Sequence, residues 1–309
     1  MTISKSPESI LVTGGTGFIG RILCERLQAK GHRLIVLTRN PAKYKSQQSV
    51  TQRFIANLDE ISDDTIIHTI INLAGEPLAE GRWTEVKKQR FIQSRLDITN
   101  AVVALSQRLE QKPSLLLSSS AIGYYGPQAD TEITEDHAPA DCFLHRLCAQ
   151  WEEAALAIQN LGVRCCLLRI GMVLGPQGGP LQQFRLPFRF KVAARLGDGK
   201  QWMSWIHQED IINILFFLME KKDIQGPVNL TAPLPVTNGQ FTSMVGQIMR
   251  SWVSVSVPAV VVKVLVGELG TEVLLVSQRV LPAKLQNAGY RFTYNELTPC
   301  LEELLVRKN

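Results

Sequence analysis

The stretch "LVTGGTGFIG" (residues 11–20) constrains this chain more than any other. An apolar strand signal, "SILVTG" at 9–14, runs into Gly14, Gly17 and Gly20 at the spacing GxxGxxG. Phe18, Ile19, Ile22, Leu23 and Leu27 then recur at helical spacing. Glycines in such a turn allow close backbone approach, and the helix N-terminus offers N–H donors and a positive dipole end to a pyrophosphate. A strand-to-helix turn that merely uses glycine is the other reading. The strand before, the helix after and a second strand on schedule favour dinucleotide binding.

That second strand is "RLIVLTR" (33–39), preceded by the helix-breaking Gly31. "RFIA" (53–56), "TIINLAG" (69–75), "SLLLSSS" (114–120) and "VRCCLLRIG" (163–171) continue the series, with helical stretches near 83–110 and 143–160. Strands alternating with helices predict an α/β fold, a Rossmann-type doubly wound parallel sheet covered on both faces. Beyond about residue 175 the texture changes, with loop signals at "GPQGGPL" and "APLPVTNGQ". The expected division is a dinucleotide-binding domain over 1–175, with segments returning up to about 230, and a smaller C-terminal substrate or cap domain over 176–309.

With 309 residues, 45% of them hydrophobic and 20% charged, the chain has the makeup of an ordinary globular protein with a large core. The net charge of +5 is dispersed, without the basic stripe that nucleic acid requires. Six cysteines (24, 142, 148, 165, 166, 300) form no CxxC pair and no zinc spacing, which points to reduced, packed thiols and no metal site. "MTISKSPESI" lacks a signal-peptide core, and "IINILFFLM" (211–219) and "VPAVVVKVLVGEL" (257–269) are too short or interrupted to span a bilayer. The second could lie on a membrane surface, though a core helix is the commoner meaning. These features predict a cytoplasmic protein without a membrane span.

The second strand ends "LTRNPAK", where NAD-selective sites usually carry a carboxylate for the adenosine 2′-hydroxyl. Thr38 and Arg39 stand there instead, with Lys43 nearby, so the expected cofactor is NADP(H), its 2′-phosphate held by the guanidinium. A solvated arginine after a strand is the alternative.

"TGGTGFIG", "NLAG" (72–75), "SSSAIGYYG" (118–126), "LRIGMVLGP" (168–176) and "SWIHQED" (204–210) follow in the order seen in extended short-chain dehydrogenases/reductases. The run "VPAVVVKVLVGELGTEVLLVSQRVLPAKLQNAGYRF" narrows the resemblance to the atypical epimerase-family branch, family 39U and its bacterial relatives, with its appended C-terminal domain. The resemblance covers nearly the whole chain. It implies a cleft between the two domains that holds NADP(H), with Gly14, Thr16, Gly17, Phe18 and Ile19 on the pyrophosphate loop and Thr38 and Arg39 on the 2′-phosphate. Leu73, Ala74 and Gly75 then fall at the adenosine ribose and phosphates, while Ile170 to Leu174, Val173 among them, line the nicotinamide end. Ser118, at the carboxyl edge of its strand, faces the cofactor. Arg95, in "QSRLDIT", takes a helix position from which it reaches the cofactor or lies on the surface. Extended relatives often form homodimers through the helices flanking the central strands.

The resemblance also implies a tyrosine four residues before a lysine on the helix after "SSS", the ammonium lowering the phenol's pKa for proton exchange. That helix reads "DCFLHRLCAQWEEAAL", with Leu144 and Cys148 at the two positions, and none of the five tyrosines (44, 124, 125, 290, 294) begins a YxxxK. Ser120 matches the substrate-polarising hydroxyl, and Tyr124 and Tyr125 are the remaining phenols. His145 lies on the same helix, turned roughly 100° from the lost tyrosine's place. His207 either works at the cleft wall or holds a loop, with Asp210 expected to cap the helix that follows. Trp202 and Trp205 line a pocket or pack the domains together. No HExxH or GxSxG motif occurs, which speaks against metal and serine hydrolases. Two readings stay open: an NADP-dependent oxidoreductase or epimerase-like enzyme on an unknown small substrate, and a non-catalytic NADP(H)-binding regulator or redox sensor acting through a protein partner.

Overall fold

The computed structural model describes residues 7–78, 81–176, 178–179, 181, 192–251 and 253–306. Residues 1–6 of the amino-terminal segment, and Gln177 and Pro180 of "GPQGGPL", lie outside them. Seven strands form one parallel sheet: β1 (Ser9–Thr13), β2 (Arg33–Leu37), β3 (Gln52–Ile55), β4 (Thr69–Asn72), β5 (Leu115–Ala121), β6 (Arg164–Ile170) and β7 (Gly226–Leu230). Their order across the sheet is β7-β6-β5-β4-β1-β2-β3. The chain winds outward from β1 in one direction, then returns to β1's other edge with β4. The carboxyl ends of β1 and β4 therefore border the crevice where α/β sheets bind ligands.

The alternation of side chains along each strand explains the two cores. Ile10, Val12, Leu34, Val36, Ile71, Leu115, Leu117, Cys166 and Leu168 face one side. There they meet Leu23, Cys24 and Leu27 of α1 (Phe18–Ala29) and Ile211, Ile214, Leu215 and Leu218 of a later helix. Leu11, Ile35, Ile70, Leu116, Cys165 and Leu167 face the other side. They pack on Val102, Val103 and Leu105 of α2 (Glu85–Arg108) and on Ala155 of α3 (Phe143–Leu156). Each fully buried aliphatic side chain contributes roughly 1.5–3 kcal/mol of transfer free energy. A sheet buried on both faces requires such continuous apolar strands.

The later helix is α4 (Gln208–Glu220), and the structure corrects its expected cap. His207 takes the N-cap position, its Nδ1 accepting from the Glu209 N–H at 3.1 Å. Asp210 lies inside the first turn and reaches away. Its carboxylate accepts from the backbone N–H groups of Thr293 and Tyr294 at 2.8 and 2.9 Å and from the Tyr290 hydroxyl at 3.1 Å. It thus ties the C-terminal segment to the helix under the sheet.

A third core gathers Leu174, Trp205, Val236 and Phe241 with Leu297, Leu301 and Leu304. It lies between α5 (Asn238–Ile248) and the last helix, Leu297–Val306, and two short strand pairs lie outside the main sheet, the first bordering this core and the second a small cluster with Tyr125. Trp205–His207 runs beside Met172–Leu174, and Arg279–Val280 beside Glu132–Ile133. Trp205 is buried here and donates its indole N–H to the Leu234 carbonyl, while Trp202 bonds Asp130. Both tryptophans therefore act in packing. The run 257–269 forms α6 (Ala259–Val266), and among the described residues no helix is long and apolar enough to cross a membrane.

His207 makes the third core pH-sensitive. Burial pushes its pKa down, against the opposing pull of the Glu303 carboxylate 3.3 Å from Nε2 and of Asp210 and Glu209. The folded chain favours the neutral ring, whereas the unfolded chain takes up a proton near pH ~6.5. Stability is therefore expected to fall as pH drops below about 6.5 towards the lower folded value. Urea melts of His207→Asn, which keeps a capping side chain, should show a flatter slope over that window.

Candidate cofactor and substrate site

The glycine loop is shaped by close backbone contacts. Gly14 has φ +66°, and a Cβ there would lie 2.7 Å from the Leu73 carbonyl carbon. At Gly20 a Cβ would come within 2.2 Å of the Gly14 oxygen, so only glycine lets α1 start so near the turn. Gly17 is exposed and takes the N-cap position without a side-chain cap, and the first turn of α1 carries no acid. The positive helix end therefore faces outward past Gly17 and the half-buried Thr16. Phe18 is wedged against Gly175 and Gly178, where Cβ atoms would meet its ring at 2.8 Å. Its carbonyl accepts from Gln208 Nε2 at 2.6 Å. Ile19 packs into the first core.

At the end of β2, Thr38 is half-buried and Arg39 is exposed, and Arg39 makes no ion pair among the described residues. Next to the crevice, Thr13 donates to Asn72 Oδ1 at 2.6 Å and accepts from the Ala74 N–H at 3.3 Å. Asn72 Nδ2 reaches Thr99 Oγ1 at 3.0 Å and Ser118 Oγ at 3.4 Å, and Trp151 donates to the same Thr99 oxygen. This buried network fixes the turn of Leu73, Ala74 and Gly75 against β1. Ser118 is fully buried within it.

Arg95 lies in the interior, at 7% exposure. Its Nη1 donates to the Phe91 carbonyl and its Nη2 to the Glu76 carbonyl, at 2.9 and 3.0 Å, and its guanidinium lies 5.0 Å from the Trp151 ring. Nε is buried without a partner, and no carboxylate pairs with the group among the described residues. Burial accordingly pulls its pKa down. A Cβ on Gly75 would stand 3.2 Å from the guanidinium carbon, so the charge sits directly beneath the predicted ribose turn. The surface alternative for Arg95 is thereby excluded.

"SSSAIGYYG" comprises the end of β5 and the turn Ile122–Tyr125. Ser120 donates to Glu152 Oε1 at 2.6 Å. Glu152 also receives both sides of the Arg169 guanidinium, Nε at 2.9 Å and Nη2 at 2.8 Å. Arg169 Nη1 donates to the Tyr125 hydroxyl and to the Glu135 carbonyl, and Tyr125 donates to Asn229 Oδ1 at 2.7 Å. Burial would lower the Arg169 pKa, but the Glu152 carboxylate more than offsets it and raises it. Tyr125 has no solvent exposure, and burial pushes its phenol up to about 12. Both Ser120 and Tyr125 are thus committed to an internal network.

Tyr124 differs. Its ring is half-buried, with the Arg169 guanidinium 3.5 Å from its centre, and its hydroxyl makes no hydrogen bond among the described residues. His145 donates from Nδ1 to the Tyr124 carbonyl at 2.7 Å, so it holds this turn in place. Leu144 and Cys148 join Trp83, Phe91, Leu147 and Trp151 in an apolar cluster. Burial pushes the Cys148 thiol up to about 12, which keeps it neutral. Ile170, paired in register with Ala121 at the end of β5, and Val173 are half-buried.

Glu152 and Arg169 were not singled out from sequence. A charge inside the otherwise apolar "CCLLRI" was the available signal, because a buried strand tolerates an arginine only with a partner. Glu152 and Arg169 are each over nine-tenths buried, and Glu152→Gln leaves the guanidinium without its counter-charge. A loss of about 3–5 kcal/mol is expected, measurable as a lower urea midpoint.

Opposite Leu144, a cavity of about 460 Å³ opens between the turn after β5 and the C-terminal segment. Gly123, Cys142 and Leu144 line one wall, Thr271, Glu272 and Ser277 the other. Among the described residues no cluster of three or more His, Cys, Asp or Glu side chains is placed to hold a metal ion.

Comparison with known proteins agrees with this architecture. The NAD dependent epimerase/dehydratase family matches residues 10–230, and a domain of unknown function, DUF1731, matches 257–304. The epimerase family protein YfhF of Bacillus subtilis is 35% identical over 301 residues, covering 96% of this chain and 98% of its own. The crystal structure of human epimerase family protein SDR39U1 with NADPH superposes with a TM-score of 0.86 at 30% identity, over 96% of this chain and 98% of that one. A nucleoside-diphosphate sugar epimerase from Corynebacterium glutamicum gives a TM-score of 0.77 at 28% identity, over 97% of this chain and 58% of that one. With a Rossmann-like parallel sheet, a glycine loop at its switch point and a C-terminal segment matching DUF1731, this chain belongs to the NAD dependent epimerase/dehydratase family.

Proposed function

We propose that the chain binds NADP(H) in the crevice at β1 and β4 and acts as an oxidoreductase or epimerase-like enzyme on a small substrate. The observation that carries this reading is the N-terminus of α1 behind Gly17, without a side-chain cap, with Arg39 unpaired among the described residues at the end of β2. The glycine cradle and the orphaned Arg95 Nε fit such a cofactor, and the human relative is described with NADPH. Gly14, Thr16, Gly17, Phe18 and Ile19 would hold the pyrophosphate, and Thr38 and Arg39 the 2′-phosphate. Leu73, Ala74 and Gly75 would shape the adenosine side, with Ile170 and Val173 towards the nicotinamide, while the fully buried Ser118 would act from beneath through Asn72. When bound, the nicotinamide supplies a hydride donor or acceptor. The chain's own share is to orient the ring and to exclude water with the apolar cluster around Leu144 and Cys148.

In this reading residues 176–309, apart from the returning α4 and β7, form the cap over the crevice. Arg95 brings a positive charge to the neighbourhood of Cys148, the position of the missing lysine. Ser120 and Tyr125 brace the end of β5 through Glu152, Arg169 and Asn229. One observation favours the second reading, a cofactor-binding regulator without turnover: the face of α3 that would carry tyrosine and lysine is apolar.

Fluorescence titration with NADPH and NADH tests the cofactor assignment. Arg39→Ala is expected to weaken NADPH roughly 10- to 100-fold with little change for NADH, as loss of a charge-assisted phosphate contact predicts. Equal losses for both cofactors would remove the 2′-phosphate assignment. Arg95→Gln is expected to weaken both cofactors about tenfold, since it acts at the part they share.

A further inference from the structure

The face of α3 next to the crevice cannot exchange a proton, because Leu144 has no titratable group and the Cys148 thiol is buried and neutral. The cavity beside Leu144 is of the size that takes a small organic ligand. Three of its lining residues titrate: Cys142, Lys263 and Glu272. The Cys142 sulfur is occupied as the N-cap of α3, accepting from the His145 N–H at 3.3 Å, and burial raises its pKa. Lys263 stands on the exposed side of α6. Glu272 comes from the short helical turn Gly270–Leu274 of the C-terminal segment and is half-buried.

The position of Glu272 is tightly defined. Its Oε2 accepts from the Leu144 N–H at 3.2 Å, in the first turn of the fourteen-residue helix α3. The positive end of that helix favours a carboxylate there. The Cys142 thiol lies near it, and no ion pair neutralises it among the described residues. Gly123 closes the other side, since a Cβ there would stand 3.1 Å from Leu144 Cβ. The carboxylate is therefore delivered from the appended domain to the residue that replaces the usual phenol.

We propose that Glu272 is the catalytic residue that exchanges the proton with the substrate, a small and largely apolar secondary alcohol or carbonyl compound held in this cavity. The assignment rests on the cofactor-binding reading above and extends it to the missing acid–base group. In the alcohol direction the substrate O–H bond breaks, its proton passes to a Glu272 carboxylate oxygen, and the O–H electron pair stays on the substrate oxygen. In the carbonyl direction the protonated carboxyl returns that proton to the same oxygen. Pro127, Ala259, Leu275 and Val276 give the cavity an apolar stretch of wall beside the polar Lys263 and Gln278, which suits the carbon skeleton. A purely structural Glu272 would only cap α3 from outside, so the test needs a readout that capping does not move.

The full chain is titrated with NADPH and then offered a panel of aldehydes and ketones, or with NADP+ as the hydride acceptor and offered the matching secondary alcohols, all of three to eight carbons, linear and aromatic. Glu272 is labelled with a water-soluble carbodiimide and an amine, and the extent is read by mass spectrometry with and without each panel member. Protection of Glu272 by at least one member is expected. E272Q should bind NADPH as the parent does, melt at a similar temperature and lose roughly 10²- to 10⁴-fold in turnover of the protecting compound. E272D should retain part of that turnover, which an unfolded variant would not. Absence of protection by every member overturns the proposal, as does parental turnover in E272Q. A comparable loss in Tyr124→Phe alone, with E272Q active, would assign the proton to Tyr124 instead. If the parent itself fails to bind NADPH, the cofactor reading falls, and that result is distinct from any of these.

Discussion

The ion pair of Glu152 and Arg169 is the interaction on which the geometry of the crevice depends. Two charges removed from water are tolerated only when each finds its partners, and here four guanidinium hydrogen bonds are satisfied by Glu152, Tyr125 and the Glu135 carbonyl. The pair locks α3 onto β6, and through Ser120 it fixes the end of β5 as well. β5 leads directly into the turn Ile122–Tyr125, and α3 supplies the face that packs against it. A second network, Thr13–Asn72–Thr99–Trp151, does the same for the ends of β1 and β4. Between them the two networks set the floor of the crevice with hydrogen bonds, not with apolar contact, which leaves its walls free to vary.

In the candidate site, the glycine loop and the proposed acid–base position depend on different parts of this arrangement. The glycine loop depends on backbone geometry, and Gly14, Gly17 and Gly20 meet its requirements without help from elsewhere. The acid–base position depends on two side chains, and Leu144 and Cys148 have become part of a hydrophobic cluster with Trp83, Phe91 and Trp151. Polar groups enter the same region from neighbouring segments: Arg95 from α2 and Glu272 from the C-terminal domain. The appended domain is thus joined to the crevice by more than packing. Gln278 donates to the Ile122 and Gly126 carbonyls, and Arg82 bonds the last carbonyls of α6.

Much of the fold was legible before the structure. All six strand signals read from the sequence lie in the sheet, because strands buried on both faces must be apolar throughout. β7 was less visible: "GPVNL" carries a proline and a polar Asn229, which the Tyr125 hydroxyl and the Leu281 carbonyl satisfy. The cap on α4 was misplaced because aspartate is the commoner N-cap residue, whereas His207 caps by presenting a neutral Nδ1. Asp210 was then free to bind Thr293 and Tyr294, more than eighty residues away, a pairing that no local pattern encodes.

For the site the division follows range. The sequence by itself determined the dinucleotide loop, the cation in place of an acid at the end of β2, and the loss of tyrosine and lysine. Each of these is a matter of residue type at short spacing. Only the tertiary structure decided that Ser120 and Tyr125 serve a buried charge pair, that Arg95 points inward beneath Gly75, and that Glu272 reaches Leu144. Those outcomes depend on partners 32, 44, 104, 19 and 128 residues apart along the chain, and a buried polar group acquires its role from whichever distant partner satisfies it.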